Sequence, residues 1–90
     1  MPDVYGQGPD RIRGRPLQRL RRQLFQRNPL CVECEKVGRY SVATERDHII
    51  PLKEGGADNE MNTQGLCADC HELKRQAEVK RGVARSKELA

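Results

Sequence analysis

The chain has 90 residues, with 17 Lys or Arg against 13 Asp or Glu, two histidines, four cysteines and no tryptophan. Only 36% of the residues are hydrophobic, so we expect one small domain whose apolar core is too small to be stable without a crosslink or a metal. No stretch approaches the ~20 apolar residues of a membrane span, and the first residues lack the apolar segment of a signal peptide. We therefore expect a cytoplasmic protein, in which cysteines serve as metal ligands more often than as disulfides.

Charge is distributed unevenly along the chain. Residues 1–30 carry seven arginines against two acids, residues 31–66 carry more acids than bases, and residues 67–90 are again basic. Basic ends suit a polyanionic partner such as nucleic acid that is held from both sides. Solvated basic tails would give the same pattern, so charge alone leaves both interpretations open.

The N-terminal third predicts a leader followed by a helix. The first residues, MPDVYGQGPD, are polar and rich in Gly and Pro, which predicts a flexible leader over residues 1–14. Four apolar side chains then recur at i, i+3, i+7 and i+8: Leu17, Leu20, Leu24 and Phe25. This stripe predicts an amphipathic helix over residues 16–28, which Pro16 can begin and Pro29 must end.

The middle of the chain predicts strands and a loop. Residues 40–50 are rich in β-forming side chains and follow a turn signal at Gly38, which predicts a hairpin or one long strand ending at Pro51. The segment KEGGADNEM has the composition of a loop. The segment NTQGLCADC then predicts a second short strand that runs into a metal-binding turn.

The C-terminal part predicts a second helix. Asp69 and Glu72 have the spacing of a capping box, which would open a helix over residues 70–81. Gly82 is a typical residue at the end of a helix. Residues 83–90 would then form a tail that either prolongs this helix or frays.

The four cysteines form two C-x-x-C pairs, Cys31 with Cys34 and Cys67 with Cys70. Two intervening residues let a tight turn point both thiolates at one ion, so the two pairs predict a tetrahedral, structural Zn²⁺ site. Redox dithiols or disulfides are the alternative. The segment between the pairs is longer than the roughly 15–20 residues of a plain zinc ribbon, so a folded insert is expected there.

That insert and its flank contain both histidines of the chain. Asp47 and His48 end the predicted first strand, and His71 directly follows the last cysteine. Taken singly, each is more often a surface residue, and His71 could serve as an alternative zinc ligand. A zinc site that closes the insert would bring all three into one region.

The ordered segments CVEC, DHIIPLKEGG and NTQGLCADCHELK resemble the HNH nuclease family, in the compact, zinc-containing form often encoded by bacteriophages and prophages. The resemblance covers about residues 29–75. It implies a small α+β protein with the ββα-metal (HNH, or His-Me finger) fold, a structural four-cysteine zinc site and an N-terminal helix. We accordingly expect one nuclease domain over residues 15–82, with its ββα-metal core over residues 31–82.

The resemblance also implies roles for individual residues. His48 would be the general base, Asp47 and His71 would bind the catalytic ion, and Asn62 would fix the orientation of the base. A neutral imidazole can accept a proton from water near neutral pH, and an open O/N site suits Mg²⁺ or Mn²⁺, with Ni²⁺, Co²⁺ or Zn²⁺ as alternatives. Asn62 could instead be an ordinary turn or strand-pairing residue.

Helical arginines and lysines are candidate phosphate contacts: Arg19, Arg22, Lys74 and Arg75. The implied function is a metal-dependent DNA endonuclease, with phage terminase or other packaging proteins as further partners. A non-catalytic zinc-knuckle module that binds nucleic acid, and an accessory subunit of a packaging machine, are the alternatives. Solvated helix charge would explain any one of these basic residues equally well.

Overall fold

The computed structural model describes residues 12–89, with side chains through residue 84. The predicted leader therefore lies outside the described residues up to residue 11, as does Ala90. In the described part no helix is long and apolar enough to cross a membrane.

The first helix, α1, spans Gly14–Arg27, close to the predicted residues 16–28. Its apolar stripe faces inward, with Leu24 fully buried and three further members partly buried: Leu17, Leu20 and Phe25. The N–H of Asn28 donates to the carbonyl of Leu24 at 2.8 Å and closes the last turn. Pro29 follows, so the predicted end of the helix is confirmed.

A short helix, α2, spans Val32–Lys36; it begins directly after Cys31, contains Cys34 and is followed by a turn at Gly38. Two antiparallel strands follow, β1 over Glu45–His48 and β2 over Thr63–Leu66. The strand predicted over residues 40–50 is thus mostly wrong, since before β1 only an isolated bridge between Leu30 and Val42 forms. The partner of β1 lies across a long loop, and local β propensity carries no information about such a partner.

The last helix, α3, spans Ala68–Leu89. It begins two residues before the predicted start, so Asp69 lies in its first turn and is not the capping residue. It also continues through Gly82, where the sequence predicted a stop. A glycine costs a helix only about 1 kcal/mol, and the helix-forming residues on both sides of Gly82 offset that cost.

The core is small and is centred on sulfur. Among the described residues, the buried hydrophobic side chains are Leu24, Cys31, Cys34, Ala43 and Leu66. Leu66 of β2 packs with two of the cysteines, and the other two cysteines pack against this group. The small α+β architecture predicted from the sequence, with two strands, an intervening loop and a helix beside a four-cysteine cluster, is confirmed.

Candidate active site

The four cysteines converge into one group, here called the cysteine cluster: Cys31, Cys34, Cys67 and Cys70. Their sulfur atoms all lie within 4.8 Å of one another. The Sγ of Cys34 is 3.8 Å from that of Cys67 and 3.7 Å from that of Cys70. Four thiolates about 2.3 Å from a tetrahedral Zn²⁺ lie about 3.8 Å apart, so the cluster fits a structural zinc ion.

The thiols of the cysteine cluster differ in acidity. Burial of Cys31 opposes ionisation, but hydrogen bonds from the backbone of Cys67 and Cys34 outweigh it and lower its pKa to about 7. The pKa of Cys70 is raised, first by its hydrogen bond with the thiol of Cys67 and then by burial. The thiol of Cys31 can therefore ionise near neutral pH before an ion binds, whereas an ion must displace the proton of Cys70.

Asp47 and His71 lie together where β1 meets the start of α3, and we call this pair the cation site. The Oδ1 atom of Asp47 is 3.9 Å from the Nε2 atom of His71. Asp47 is buried, whereas the His71 side chain remains 37% exposed. Two ligand atoms about 2.1 Å from a shared ion can be up to about 4.2 Å apart, so the separation of 3.9 Å lies within the span that one divalent cation can bridge.

The other carboxylate oxygen of Asp47 is fixed by two donors. The Nε2 of Gln64, the cross-strand partner of Asp47, donates to its Oδ2 at 3.0 Å. The ammonium of Lys74 lies 3.2 Å from the same oxygen. Both contacts leave Oδ1 directed toward His71, so the carboxylate is oriented before any ion arrives. Sequence reasoning missed Gln64, although its place in NTQ on the strand paired with DH was a usable signal.

Lys74 lies inside the site, and its side chain is 23% exposed. Its ammonium donates to the backbone carbonyl of His48 at 2.8 Å and contacts the carboxylates of Asp47 and Glu78. Burial opposes protonation of Lys74, but the hydrogen bond with Glu78 and the charge of Asp47 outweigh it and raise its pKa. The lysine therefore stays charged and helps to compensate the negative charge at the cation site.

His48 faces a different neighbour from Asp47. Successive side chains on a strand point to opposite faces, and here Asp47 points to α3 while Arg46 and His48 both reach Asp58 in the loop between the strands. The Nε2 of His48 lies 2.9 Å from the Oδ1 of Asp58, and the guanidinium of Arg46 lies 2.9 Å from the same oxygen.

Asp58 is the functional candidate that sequence reasoning missed. Its side chain is 1% exposed, and its Oδ2 accepts a hydrogen bond from the backbone N–H of Ile12 at 2.6 Å. Burial would raise its pKa, but the donors from Ile12, His48 and Arg46 together lower it. The only signal in the sequence was an acid two residues after Gly-Gly in the loop that follows Asp47 and His48.

The side chain of Asn62 hydrogen-bonds two parts of the loop that follows His48. Its side chain accepts a hydrogen bond from the N–H of Ile50 at 2.9 Å and donates to the carbonyls of Ile50 and Ala57 at 2.9 and 2.7 Å. Its backbone carbonyl accepts from the N–H of Ile49 at 2.8 Å. Asn62 thus bonds the backbone on both sides of the loop, and the contacts that join it to the segment after His48 run through the backbone and not through the imidazole ring.

Two glycines make the same loop possible. Gly55 has φ of 93°, a conformation that side chains disfavour. A Cβ on Gly56 would lie 1.8 Å from the carbonyl oxygen of Ile50 and 2.7 Å from the amide nitrogen of Asn62. The Gly-Gly pair therefore lets the loop pack closely against the side chain of Asn62.

The remaining predicted phosphate contacts differ in their surroundings. Arg19 and Arg22 are exposed on α1, and within residues 12–84 no ion pair holds either guanidinium. Arg75 is exposed on α3, but it makes a two-point contact with the carboxylate of Glu72 at 2.7 and 2.9 Å. The role of these arginines in DNA binding stays a prediction.

Comparison with known protein families finds a match to the HNH endonuclease family over residues 31–76, slightly more than half of the chain. The matched segment begins at the first cysteine, contains both strands and ends on α3 beyond Lys74. No curated protein and no solved structure matches the chain.

Proposed function

Because the chain belongs to the HNH endonuclease family, we propose that it is a metal-dependent DNA endonuclease that hydrolyses phosphodiester bonds. The observation that supports this most is the 3.9 Å approach of Asp47 Oδ1 to His71 Nε2, with His48 next to Asp47 in the chain. A structural zinc module has no need of a second, half-open pair of ligands beside its closed site.

In this proposal His48 is the general base. Its neutral imidazole accepts a proton from water, and the resulting hydroxide attacks phosphorus in line with the departing 3′ oxygen. The products are a 5′-phosphate and a 3′-hydroxyl. Such proton transfer typically contributes about 10²–10⁴-fold to a rate.

Asp47 and His71 would hold the catalytic cation, either Mg²⁺ or Mn²⁺, with Ni²⁺, Co²⁺ or Zn²⁺ as alternatives. When bound there, a divalent ion supplies charge that stabilises the phosphate and the leaving oxygen. Gln64 and Lys74 keep the carboxylate of Asp47 in a fixed orientation, at 3.0 and 3.2 Å from its Oδ2. Lys74 also neutralises part of the local negative charge, which favours the approach of a phosphate.

Asn62 has a positioning role in this proposal. Its bonds to Ile50 and Ala57 hold the loop that directly follows His48. The cysteine cluster has a supporting role as well, since a closed structural zinc site fixes the start of α3, where His71 lies.

DNA is the proposed substrate. Arg19 and Arg22 are the proposed phosphate contacts, because both are exposed and carry no internal ion pair among the described side chains. Lys74 and Arg75 would contact phosphate only by giving up their contacts with Asp47, Glu78 or Glu72. A phage packaging protein as a further partner, and the cytoplasm as the compartment, are part of the same proposal.

The test is cleavage of supercoiled plasmid by the zinc-loaded protein with Mg²⁺ or Mn²⁺. We expect His48→Ala and His71→Ala to lose nicking by at least about 100-fold, with zinc content and helical circular dichroism unchanged. Glu60→Gln is the matched control, because it removes an exposed acid whose ion-pair partner among the described side chains is the exposed Arg27, and it should nick like the wild type.

Two outcomes would overturn the proposal. Nicking that survives both histidine substitutions would exclude the mechanism. A wild-type protein that binds DNA in a fluorescence anisotropy assay but never cuts it, with any of the divalent ions named, would leave the non-catalytic zinc-knuckle interpretation.

A further inference from the structure

Asp58 lies in a loop, yet its side chain is buried and makes several polar contacts. Its carboxylate is 1% exposed and meets three groups from three separate parts of the chain: the N–H of Ile12, the guanidinium of Arg46 and the imidazole of His48. We propose that Asp58 is a positioning residue that holds His48 with its hydrogen on Nε2, so that Nδ1 is the nitrogen left to accept a proton from water. This inference rests on the proposed nuclease function only in assigning Nδ1 its task.

The direction of the bond between Asp58 and His48 follows from the other two contacts. Ile12 N–H and the Arg46 guanidinium can only donate, so they bind the carboxylate in its ionised, accepting form. An ionised carboxylate has no hydrogen to give. The Nε2 of His48, 2.9 Å from Oδ1, must therefore be the donor in this pair, and the neutral ring has its free electron pair on Nδ1.

The loop makes this arrangement rigid. Asn62 joins both sides of the loop, Gly56 packs where no Cβ fits, and Asp58 lies between these two residues in the chain. Arg46 is 6% exposed and binds the same oxygen as His48, so the carboxylate cannot rotate away without breaking a buried ion pair. Asp58 can thus fix the ring before substrate binds and stabilise the imidazolium that forms after proton transfer.

The first test measures the tautomer directly and needs no catalysis. The chain contains only two histidines, so long-range ¹H–¹⁵N correlation spectra of the zinc-loaded, ¹⁵N-labelled protein contain two imidazole systems. His71→Gln assigns them. At a pH where His48 is neutral, we expect its Nε2 to be the protonated nitrogen and Nδ1 the unprotonated one. A wild-type spectrum with the proton on Nδ1 would overturn the proposal.

The second test separates positioning from simple stability. Asp58→Asn keeps the shape of the side chain, but its amide can donate toward Nε2 and so favour the opposite tautomer. Arg46→Gln is the matched control, because it breaks the same buried ion pair and leaves Asp58 bonded to His48. We expect Asp58→Asn to shift the tautomer and lower kcat by about 10–100-fold with KM nearly unchanged, and Arg46→Gln to keep the wild-type tautomer.

Each result decides the question. If Asp58→Asn leaves both tautomer and kcat unchanged, or if Arg46→Gln shifts the tautomer equally, the proposed role is wrong and Asp58 is a structural residue. If Asp58→Asn does not fold, the wild-type and Arg46→Gln spectra still test the proposal. A wild-type protein that has the expected tautomer but does not cut DNA would refute the nuclease function while leaving the orientation of His48 by Asp58 established.

Discussion

The cysteine cluster and the cation site lie one residue apart in the chain, at Cys70 and His71, yet they are built in different ways. The cluster brings together four sulfur ligands from two C-x-x-C segments, each at the start of a helix, with two of the cysteines buried and two partly buried. The cation site offers two proposed ligands, and flanking side chains contact Asp47 and His48: Gln64 and Lys74 bind Asp47, and Asp58 binds His48. A closed site can stabilise a fold, whereas an open site needs outer contacts to keep its geometry while leaving room for a substrate.

The largest effect is expected when the cysteine cluster is disrupted. Cys67→Ala, or removal of zinc by a chelator, should abolish cooperative folding, because structural zinc contributes about 10–16 kcal/mol in small domains and the apolar core is small. Thermal melts with zinc analysis would show this. His48→Ala is the matched substitution beside the cation site, and this variant should keep its bound zinc and its cooperative melting transition. A Cys67→Ala protein that folds with full cooperativity would contradict this view of the cluster.

The next largest effect is expected when the buried contacts of Asp58, beside His48, are removed. Asp58→Ala leaves the buried guanidinium of Arg46 without its carboxylate partner, so the free energy of unfolding should fall by about 3–5 kcal/mol. Glu60→Ala removes an acid from the same loop, but its partner Arg27 is exposed, and the cost should be about 0–1 kcal/mol. Urea unfolding of both zinc-loaded variants measures the difference. Equal losses would show that Asp58 is no more important to stability than a surface acid.

The glycine at the centre of the loop tests its packing. Gly56→Ala would place a Cβ 1.8 Å from the carbonyl oxygen of Ile50, so the loop must shift, at a cost of about 1–3 kcal/mol. Gly82→Ala makes the same chemical change on α3, where nothing lies within 4 Å, and should stabilise the protein by about 0.5–1 kcal/mol. Melting temperatures of the two variants should therefore move in opposite directions, and a stabilised Gly56→Ala would contradict the loop geometry.

The smallest effect concerns the surface charges. DNA affinity, measured on His48→Ala without divalent ion, should depend less steeply on salt when Arg19 and Arg22 are both replaced by Ala, with the log–log slope reduced by about 2. Arg75→Ala should change the slope less, since Arg75 is already paired with Glu72. Fluorescence anisotropy titrations at several salt concentrations give these slopes. An unchanged slope in the double variant would exclude Arg19 and Arg22 from the DNA interface.

The sequence predicted the cysteine cluster more completely than it predicted the cation site and its surroundings. The cysteine cluster was accessible because its ligands repeat at a spacing fixed by turn geometry. The approach of His71 to Asp47 followed from the position of His71 directly after Cys70. The contacts of Asp58 were not accessible, because they depend on the path of a loop closed by Gly56 and Asn62, and propensities do not determine such a path.

Local sequence signals likewise predicted the helices and strands only in part. The stripe from Leu17 to Phe25 predicted α1 well, since helix periodicity is local. The partner of β1 lies across the loop at β2, and the end of α3 depended on how little one glycine weakens a long helix. Local signals therefore predicted α1, α3 and the cysteine cluster, whereas the pairing of β1 with β2 and the contact of His48 with Asp58 depend on residues far apart in the chain.

The adjacency of Cys70 and His71 on the first turn of α3 has an engineering consequence. Neighbouring helix positions differ by about 100° in direction and about 1.5 Å in height, so one peptide unit acts as a fixed spacer between the two ligand sets. Inserting a single amino acid between them would rotate His71 and Lys74 away from Asp47 while the sulfur ligands stayed in place. Redesign of this protein must therefore keep the dipeptide Cys70-His71 intact.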